Sequence, residues 1–449
     1  MTCDRQPPHR QWEKPFSVIF VTLLLVLPMS IMPQSAASGT EDYSFDLEEF
    51  EKKTFAWGGY AELKFEHIEL NQGGSFYLLN FYQDRRSSLD RLTATMQLDG
   101  NFDGGPLTLN WLVQAKAQQD QQDWADSADI YEAYASYKPM PEATVDLGKK
   151  VFKWGKGYAW NPVGFIDRPK DPNNPEEAME GFFAAGVDLI KSYPGSLKTI
   201  ALTTVALPVW QGVNEDFGEA DNVNLATKLY LLYRDMDIDL VWFTGNSRST
   251  RYGADFSTNL APNFEIHGEL AHTPAQKTRE LDSAGVLSVN EQADTSYLLG
   301  LRYLSENEIT SIIELYHNDD GYSEAEMKQF FQLVADAESQ YLTTGNDTIY
   351  QQAQLVSLSG YGKPQPGRNY LYARITQKEP FNLLYFTPGI TAIINLDDSS
   401  FTVSPETVYS GFKNCELRLR ASIIRGGYFT ENGEKQNLGR VELLARYYF

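Results

Sequence analysis

Between Lys149 and Pro172 this 449-residue chain gathers the side chains best suited to holding a ligand. The segment reads Lys149-Lys150-Val151-Phe152-Lys153-Trp154-Gly155-Lys156-Gly157-Tyr158-Ala159-Trp160-Asn161-Pro162 and continues through Asp167-Arg168-Pro169-Lys170-Asp171-Pro172. Cations set beside indole and phenol rings can attract an anion or stack on a sugar or an aromatic ring. The cluster stands out because the chain as a whole has a formal net charge of -22.

Side-chain catalysis finds little support. Beyond the first 37 residues the histidines are His67, His267, His272 and His317, and the sequence holds neither a Gly-x-Ser-x-Gly elbow nor a His-Glu-x-x-His pair. Serine–histidine chemistry needs a base oriented beside its nucleophile, and no spacing here suggests one. His267, between Glu265 and Glu269 at alternate positions, could form a metal site, but a hydrogen-bonded histidine in a polar lining is the expected role. No enzyme activity, metal or cofactor is therefore expected. Cys3 lies near the N-terminus and Cys415 would stand alone in a processed chain, and without Cys-x-x-Cys-His no covalent haem is held. The acidic balance argues against a nucleic-acid partner held by general attraction.

These side chains need a scaffold, and its signature is a rhythm of two. From about Phe55 onward, segments of roughly 10 to 14 residues alternate apolar and polar side chains, as strands with one wet face do. About 18 can be traced, with 16 as the alternative count. They are Phe55 to Leu70, Leu89 to Asn101, Leu107 to Gln118, Ala128 to Lys138, Ala143 to Lys153 and Phe182 to Tyr193. Leu197 to Val209, Asn222 to Tyr233, Met236 to Gly245, Thr250 to Asn259, Asn263 to His272 and Thr295 to Leu304 follow. The last are Glu308 to His317, Arg368 to Lys378, Leu383 to Leu396, Ser400 to Tyr409, Cys415 to Arg425 and Asn437 to Phe449.

Every second connection is short and carries turn chemistry, as in Asp103-Gly104-Gly105, Pro139-Met140-Pro141, Pro194-Gly195-Ser196 and Lys413-Asn414. The intervening ones include long polar loops at Asn71 to Arg86, Trp154 to Gly181, Trp210 to Asp221, Thr273 to Asp294 and Asn318 to Gly367, although Asn246 to Ser249 and Asp397-Asp398 are short. An up-and-down barrel sorts its loops by parity in this way, whereas a soluble sandwich has no reason to. Aromatics make up 13% of the residues, 26 Tyr and 25 Phe among them, which suits a wall with one apolar face.

The N-terminus carries Asp4, Arg5, Arg10, Glu13 and Lys14, then an apolar run from Phe16 to Met32 and the small residues Ser35-Ala36-Ala37-Ser38. That is the order of a secretory signal peptide, with cleavage expected near Ala37. Residues 1–37 are thus expected to be the leader, 38–54 a lead segment and 55–449 one all-β barrel domain. After the leader no window holds the ~20 unbroken apolar residues of a spanning helix.

The final segment is the sharpest local signal. In Gly439-Arg440-Val441-Glu442-Leu443-Leu444-Ala445-Arg446-Tyr447-Tyr448-Phe449, one face carries Val441, Leu443, Ala445, Tyr447 and Phe449, and the other Arg440, Glu442 and Arg446. Here the chain resembles the outer-membrane β-barrel proteins of Gram-negative bacteria, which end in an amphipathic strand with a terminal aromatic, usually Phe. The resemblance implies an outer-membrane location among lipid and lipopolysaccharide, and it assigns Tyr447 and Phe449 the role of a signal read by the barrel-assembly machinery. Gly148-Lys149-Lys150 followed by Trp154-Gly155-Lys156-Gly157 is similar to a segment of porin-like families that handle organic acids, aromatics or polysaccharides, the alginate-export type included.

In such a barrel the polar positions become the channel lining, and Lys150, Lys153, Lys156, Arg168, Arg374, Arg418, Arg420 and Arg440 are candidates for the lining or a constriction. Further lumen candidates include Glu265, His267, Glu269, Arg302 and Glu314, and most such charges are expected to pair across strands. Trp154, Tyr158 and Trp160 belong either to a filter loop or to an outer aromatic girdle whose lysines meet lipopolysaccharide phosphates. Ser323-Glu324-Ala325-Glu326 fits a capping box, and Met327, Phe330, Phe331, Val334, Ala337 and Tyr341 follow at helical spacing. This helix is expected as a lumen plug or a mouth lid, with docking to a partner protein third. Passive diffusion of small hydrophilic solutes, anions among the candidates, is the expected function. A polysaccharide exporter and a sheath around a multihaem cytochrome partner are the alternatives.

Overall fold

A computed structural model describes residues 54–120, 123–282 and 285–449. The expected leader and all but the last residue of the lead segment lie outside these. The strands are β1 (Phe55–Leu70), β2 (Ser88–Asp103), β3 (Leu107–Asp120), β4 (Trp124–Met140), β5 (Ala143–Lys150) and β6 (Phe182–Ser192). Next come β7 (Leu197–Val209), β8 (Asn222–Tyr233), β9 (Met236–Thr244), β10 (Arg251–Ala261), β11 (Phe264–Leu281) and β12 (Leu287–Leu304). The ring is completed by β13 (Ile309–His317), β14 (Asn369–Gln377), β15 (Phe386–Asn395), β16 (Phe401–Phe412), β17 (Cys415–Arg425) and β18 (Asn437–Tyr448). Each pairs antiparallel with its sequence neighbours, and β1 pairs with β18 from Tyr60 opposite Tyr448 to Leu70 opposite Asn437. The result is a closed 18-stranded barrel without an open edge.

The turn residues make the tight reversals. Arg234 and Asp235 join β8 to β9 with φ of 48° and 64°, the left-handed pair that matches strand twist in a two-residue hairpin. Period-two patterning decides which side faces out. On β18 Val441, Leu443 and Tyr447 are exposed, as is Phe449 just after it, while Glu442 and Leu444 are buried. The exposed aromatics gather near the strand ends. Phe102, Tyr137, Tyr193, Tyr233, Tyr303, Tyr409 and Tyr447 lie towards the short turns, and Trp124, Phe183, Trp210, Trp242, Tyr252 and Tyr297 towards the long loops. Two aromatic belts with aliphatic side chains between them match the two interfaces of a membrane.

The Thr273 to Asp294 region is not the polar loop that its composition suggests. β11 and β12 continue through it, from Thr273 opposite Asp294 to Leu281 opposite Leu287, after an irregularity between Thr273 and Gln276 that contains Pro274. Proline lacks the N–H of a regular ladder, and beyond the rim the hairpin buries little apolar surface, Leu281 and Leu287 against the helices, so no apolar alternation marks these strands.

The expected helix forms as α2 (Glu324–Thr344), with both hydrogen-bonded arms of the Ser323–Glu326 capping box and a left-handed cap at Gly345. Two shorter helices, α1 (Ser75–Phe81) and α3 (Thr348–Val356), were not evident in the sequence because seven and nine residues give too few turns for a periodic signal. Met327, Phe330, Phe331, Val334 and Ala337 pack with Tyr77 and Phe81 of α1 and with Tyr350, Ala353 and Val356 of α3. The same cluster includes Ile68 and Leu70 on β1, Leu89 on β2 and Leu281 on β11. In the ring β1 and β11 stand ten strands apart one way and eight the other. The helices therefore join opposite walls at the loop end, as a lid across the mouth.

Candidate functional site

Residues 151–181, between β5 and β6, line the inside of the barrel. Two apolar surfaces hold them there. Trp154, Val163, Phe165 and Ile166 pack on inward residues of the wall from β6 to β11, among them Val205, Leu207, Ala226 and Phe243. Ala159 and Trp160 pack on Leu298, Ile312, Tyr370, Tyr372 and Ile393, from β12 to β15. Trp160 stacks on Tyr316, with ring centroids 5.0 Å apart.

Three buried carboxylates then fix the backbone. Asp167 accepts the N–H groups of Phe152 (3.0 Å), Lys153 (3.0 Å) and Trp154 (2.8 Å). Glu269 of β11 accepts those of Gly157 (2.6 Å) and Val163 (3.2 Å), together with Lys156 N–H and the Asn161 side chain. Glu314 of β13 accepts Ala159 N–H at 2.9 Å and also meets Tyr158 N–H and the His267 ring. Charge-assisted bonds of this kind are about twice as strong as neutral ones, and they satisfy loop amides that cannot reach water. Gly155 makes the close approach possible: its φ is +99°, and a Cβ there would lie 2.4 Å from Asn161 Nδ2 and 2.8 Å from Glu269 Oε1.

The loop's own charges are perturbed by this packing. Burial pushes the Asp167 carboxyl up, against the pull of its three amide donors. Burial pushes Lys170 down despite Glu269, Glu314 and Asp167 nearby, and its ammonium donates to Gly157 O at 2.6 Å. Burial would lower Lys156 too, but Asp239 at 3.0 Å and Asp255 at 3.7 Å outweigh it and hold the group up.

The candidates proposed from sequence fall into distinct places. Lys150 pairs with Asp146, Arg418 with Glu416 (3.1 Å), Arg420 with Glu406 (2.6 Å) and Arg440 with Glu66 (3.0 Å). Arg374 links the wall to the loop through Glu176 at 3.0 Å and meets Glu406 at 3.3 Å. Arg168 pairs with Asp216 and with Glu180 at 3.2 Å. Trp154 and Trp160 lie inside, 3% and 8% exposed, and Tyr158 approaches the His267 ring with centroids 5.4 Å apart. Tyr447 and Phe449 are exposed on the outer face by the short turns. Arg248, within the short connection of β9 to β10, and Arg251, at its end, were missed because that connection has no distinguishing pattern. The loop-bearing wall did leave a trace: Val241-Trp242-Phe243 is apolar on both faces of β9, where a water-lined strand would alternate.

Loop and wall enclose a cavity of about 1240 Å³. Lys153, Lys156, Arg168, Lys170, Arg248, Arg251, Arg302 and Arg374 line it against Asp167, Glu176, Glu177, Asp294 and Asp320, eight cations to five carboxylates in an acidic protein. Trp154, Tyr158, Trp160, Tyr316 and Tyr372 add aromatic surface.

No protein-family model and no curated relative matches the sequence. Solved structures do match in fold. Wzi of Escherichia coli, described as an outer-membrane protein of group 1 capsule assembly and a carbohydrate-binding β-barrel, is 9% identical, with 86% of this chain and 83% of that chain covered and a TM-score of 0.50. OccK11 (OpdR) of Pseudomonas aeruginosa is 12% identical, with 88% and 95% covered and a TM-score of 0.49. OccK2 (OpdF) of the same organism, solved with glucuronate, is 13% identical, with 88% and 96% covered and a TM-score of 0.49. The likeness is one of architecture: this chain is a closed β-barrel of the kind that the outer-membrane protein Wzi also adopts.

Proposed function

We propose that the chain is a porin-like channel of a Gram-negative outer membrane, through which small hydrophilic solutes diffuse passively, with anions favoured at its narrowest part. One observation carries this reading: a cylinder apolar outside and charged inside is narrowed by its own loop, which leaves a cavity where cations outnumber carboxylates. The loop also weighs against the alternatives. A sheath for a cytochrome needs a lumen free for another protein, and a polyanion exporter needs a continuous basic path, whereas many wall cations here are paired. Tyr447 and Phe449 would address the chain to the barrel-assembly machinery, and the belts would sit against lipid and lipopolysaccharide.

Planar-bilayer recordings test the reading. Replacing Lys150, Lys153, Lys156 and Arg168 together by Gln is expected to shift the reversal potential towards cation preference. An unchanged potential would remove the loop from the selectivity filter.

A further inference from the structure

Part of the cavity carries positive charge that has no direct ion pair among the described residues, although the charge of Asp216 acts on Arg248. Arg248, between β9 and β10, lays its guanidinium 3.8 Å from the centroid of the Phe217 ring and donates to the main-chain oxygens of Phe217 and Phe165. Arg251, the first residue of β10, lines the cavity with it. Among the described residues neither forms an ion pair within 4.0 Å, and the buried Nε of Arg251 has no hydrogen-bond partner. Burial, then the like charge of Arg251, pushes Arg248 down to about 10. The two guanidinium groups act on each other electrostatically and line one cavity, a setting that suits a carboxylate, which a guanidinium can bind through two parallel bonds.

Negative charge stands across the same space. Tyr252 lies opposite His272 and Thr273 opposite Asp294, so Arg251, Thr273 and Asp294 share one row over β10, β11 and β12. The charges of Asp294 and Asp320 act on Arg251, yet neither carboxylate comes within 4.0 Å of it. Asp294 accepts from Ser296 Oγ and Asp320 from Gln276 Nε2, both at 3.1 Å, and both line the cavity. Opposite charges thus face each other across a gap too wide for direct pairing.

We propose that this pocket binds a small zwitterion that carries a carboxylate and an ammonium group, with the carboxylate on Arg248 and Arg251 and the ammonium towards Asp294 and Asp320. A simple anion would leave the aspartates unmatched and face their repulsion, and a simple amine would meet the arginines. Only a ligand with both charges completes both halves. The inference rests on the channel reading and refines its solute class.

The probes are 4-aminobutyrate, butyrate and butylamine, which share a carbon chain and differ in charge. Added to single channels in planar bilayers, 4-aminobutyrate is expected to interrupt the current at concentrations about tenfold lower than either single-charge probe. Arg251→Gln and Asp294→Asn are each expected to weaken that block about tenfold, and Arg251→Lys to weaken it less. Butyrate block equal to that of 4-aminobutyrate and unaffected by Asp294→Asn would overturn the proposal in favour of a plain anion site. Absence of block in a conducting barrel would overturn it outright. Titration calorimetry of the detergent-solubilised protein reads the same binding without current, so a barrel that failed to conduct would refute the channel reading and leave the pocket separately testable.

Discussion

The ammonium of Lys156 lies 3.0 Å from the Asp239 carboxylate and so ties the loop to the barrel wall. Asp255 is the cross-strand partner of Asp239, and both carboxylates are almost wholly buried, so Lys156 serves two acids, with Lys228 at 4.0 Å from Asp239 as the weaker second cation. Lys156→Met would leave two like charges together with only Lys228, 4.0 Å from Asp239, to offset them. Breaking a buried pair from one side costs about 3–5 kcal/mol, and the partial exposure of the lysine places the expected loss at the lower end of that range. Urea unfolding in lipid vesicles measures it. Adding Asp239→Asn is expected to restore part of the stability, and independent, additive losses would refute the coupling.

Glu269 and Glu314 position the loop inside the barrel. Glu269→Gln keeps the shape but removes the charge that receives the amides of Lys156, Gly157 and Val163. Bonds to a charged acceptor contribute about 1.5–3 kcal/mol each, so the loop is expected to loosen and single-channel conductance to rise and grow noisier. Traces identical to those of the parent protein would show that the apolar anchors suffice.

Ion pairing ranks the four basic residues of the selectivity test. Lys150, Lys156 and Arg168 each meet a carboxylate, whereas Lys153 lines the cavity without an ion pair among the described residues. Lys153→Gln alone is therefore expected to give most of the reversal-potential shift seen when all four are replaced. A larger shift from Lys150→Gln would contradict this ranking.

Gly155→Ala is expected to disturb the loop although the substitution is small. The position has φ of +99°, and the new methyl would press on Asn161 and Glu269. Non-glycine residues in strained backbone cost about 1–3 kcal/mol. A fall in thermal midpoint together with altered conductance is the expected outcome, and normal values in both would mean that the loop shifts freely.

The lid is predicted to be separable from the wall. Phe330 is fully buried among α1, α2 and α3, and Phe→Ala in such a core costs about 3–5 kcal/mol. Phe330→Ala is expected to make residues 318–368 sensitive to protease on intact cells while the barrel keeps its β-sheet circular dichroism. Loss of the whole barrel would show that the lid is part of its folding core.

Much of the site resisted sequence reading, for identifiable reasons. Glu269 and Glu314 could be placed in the lumen by parity, but their hold on Gly157 and Ala159 spans 112 and 155 residues and has no local signature. The inward placement of Trp154 and Trp160 depends on apolar inner-wall residues such as Val205 and Phe243, contributed by distant strands. The extensions of β11 and β12 carry no alternating signal because only their leucines, Leu281 and Leu287, pack against the helices while most of their other side chains are polar or exposed.

The sequence by itself determined the number and order of the strands, most of their extents, the reversals, the outward face of β18 and the capped helix α2, because side-chain period, turn chemistry and capping are properties of a few adjacent residues. Only the tertiary structure decided that β1 meets β18, that Arg420 is neutralised by Glu406 while Arg248 and Arg251 form no ion pair among the described residues, and that residues 151–181 lie inside. Electrostatic pairing acts through space over a few ångströms, so which charges remain available is fixed only when the ring closes and brings distant strands into register.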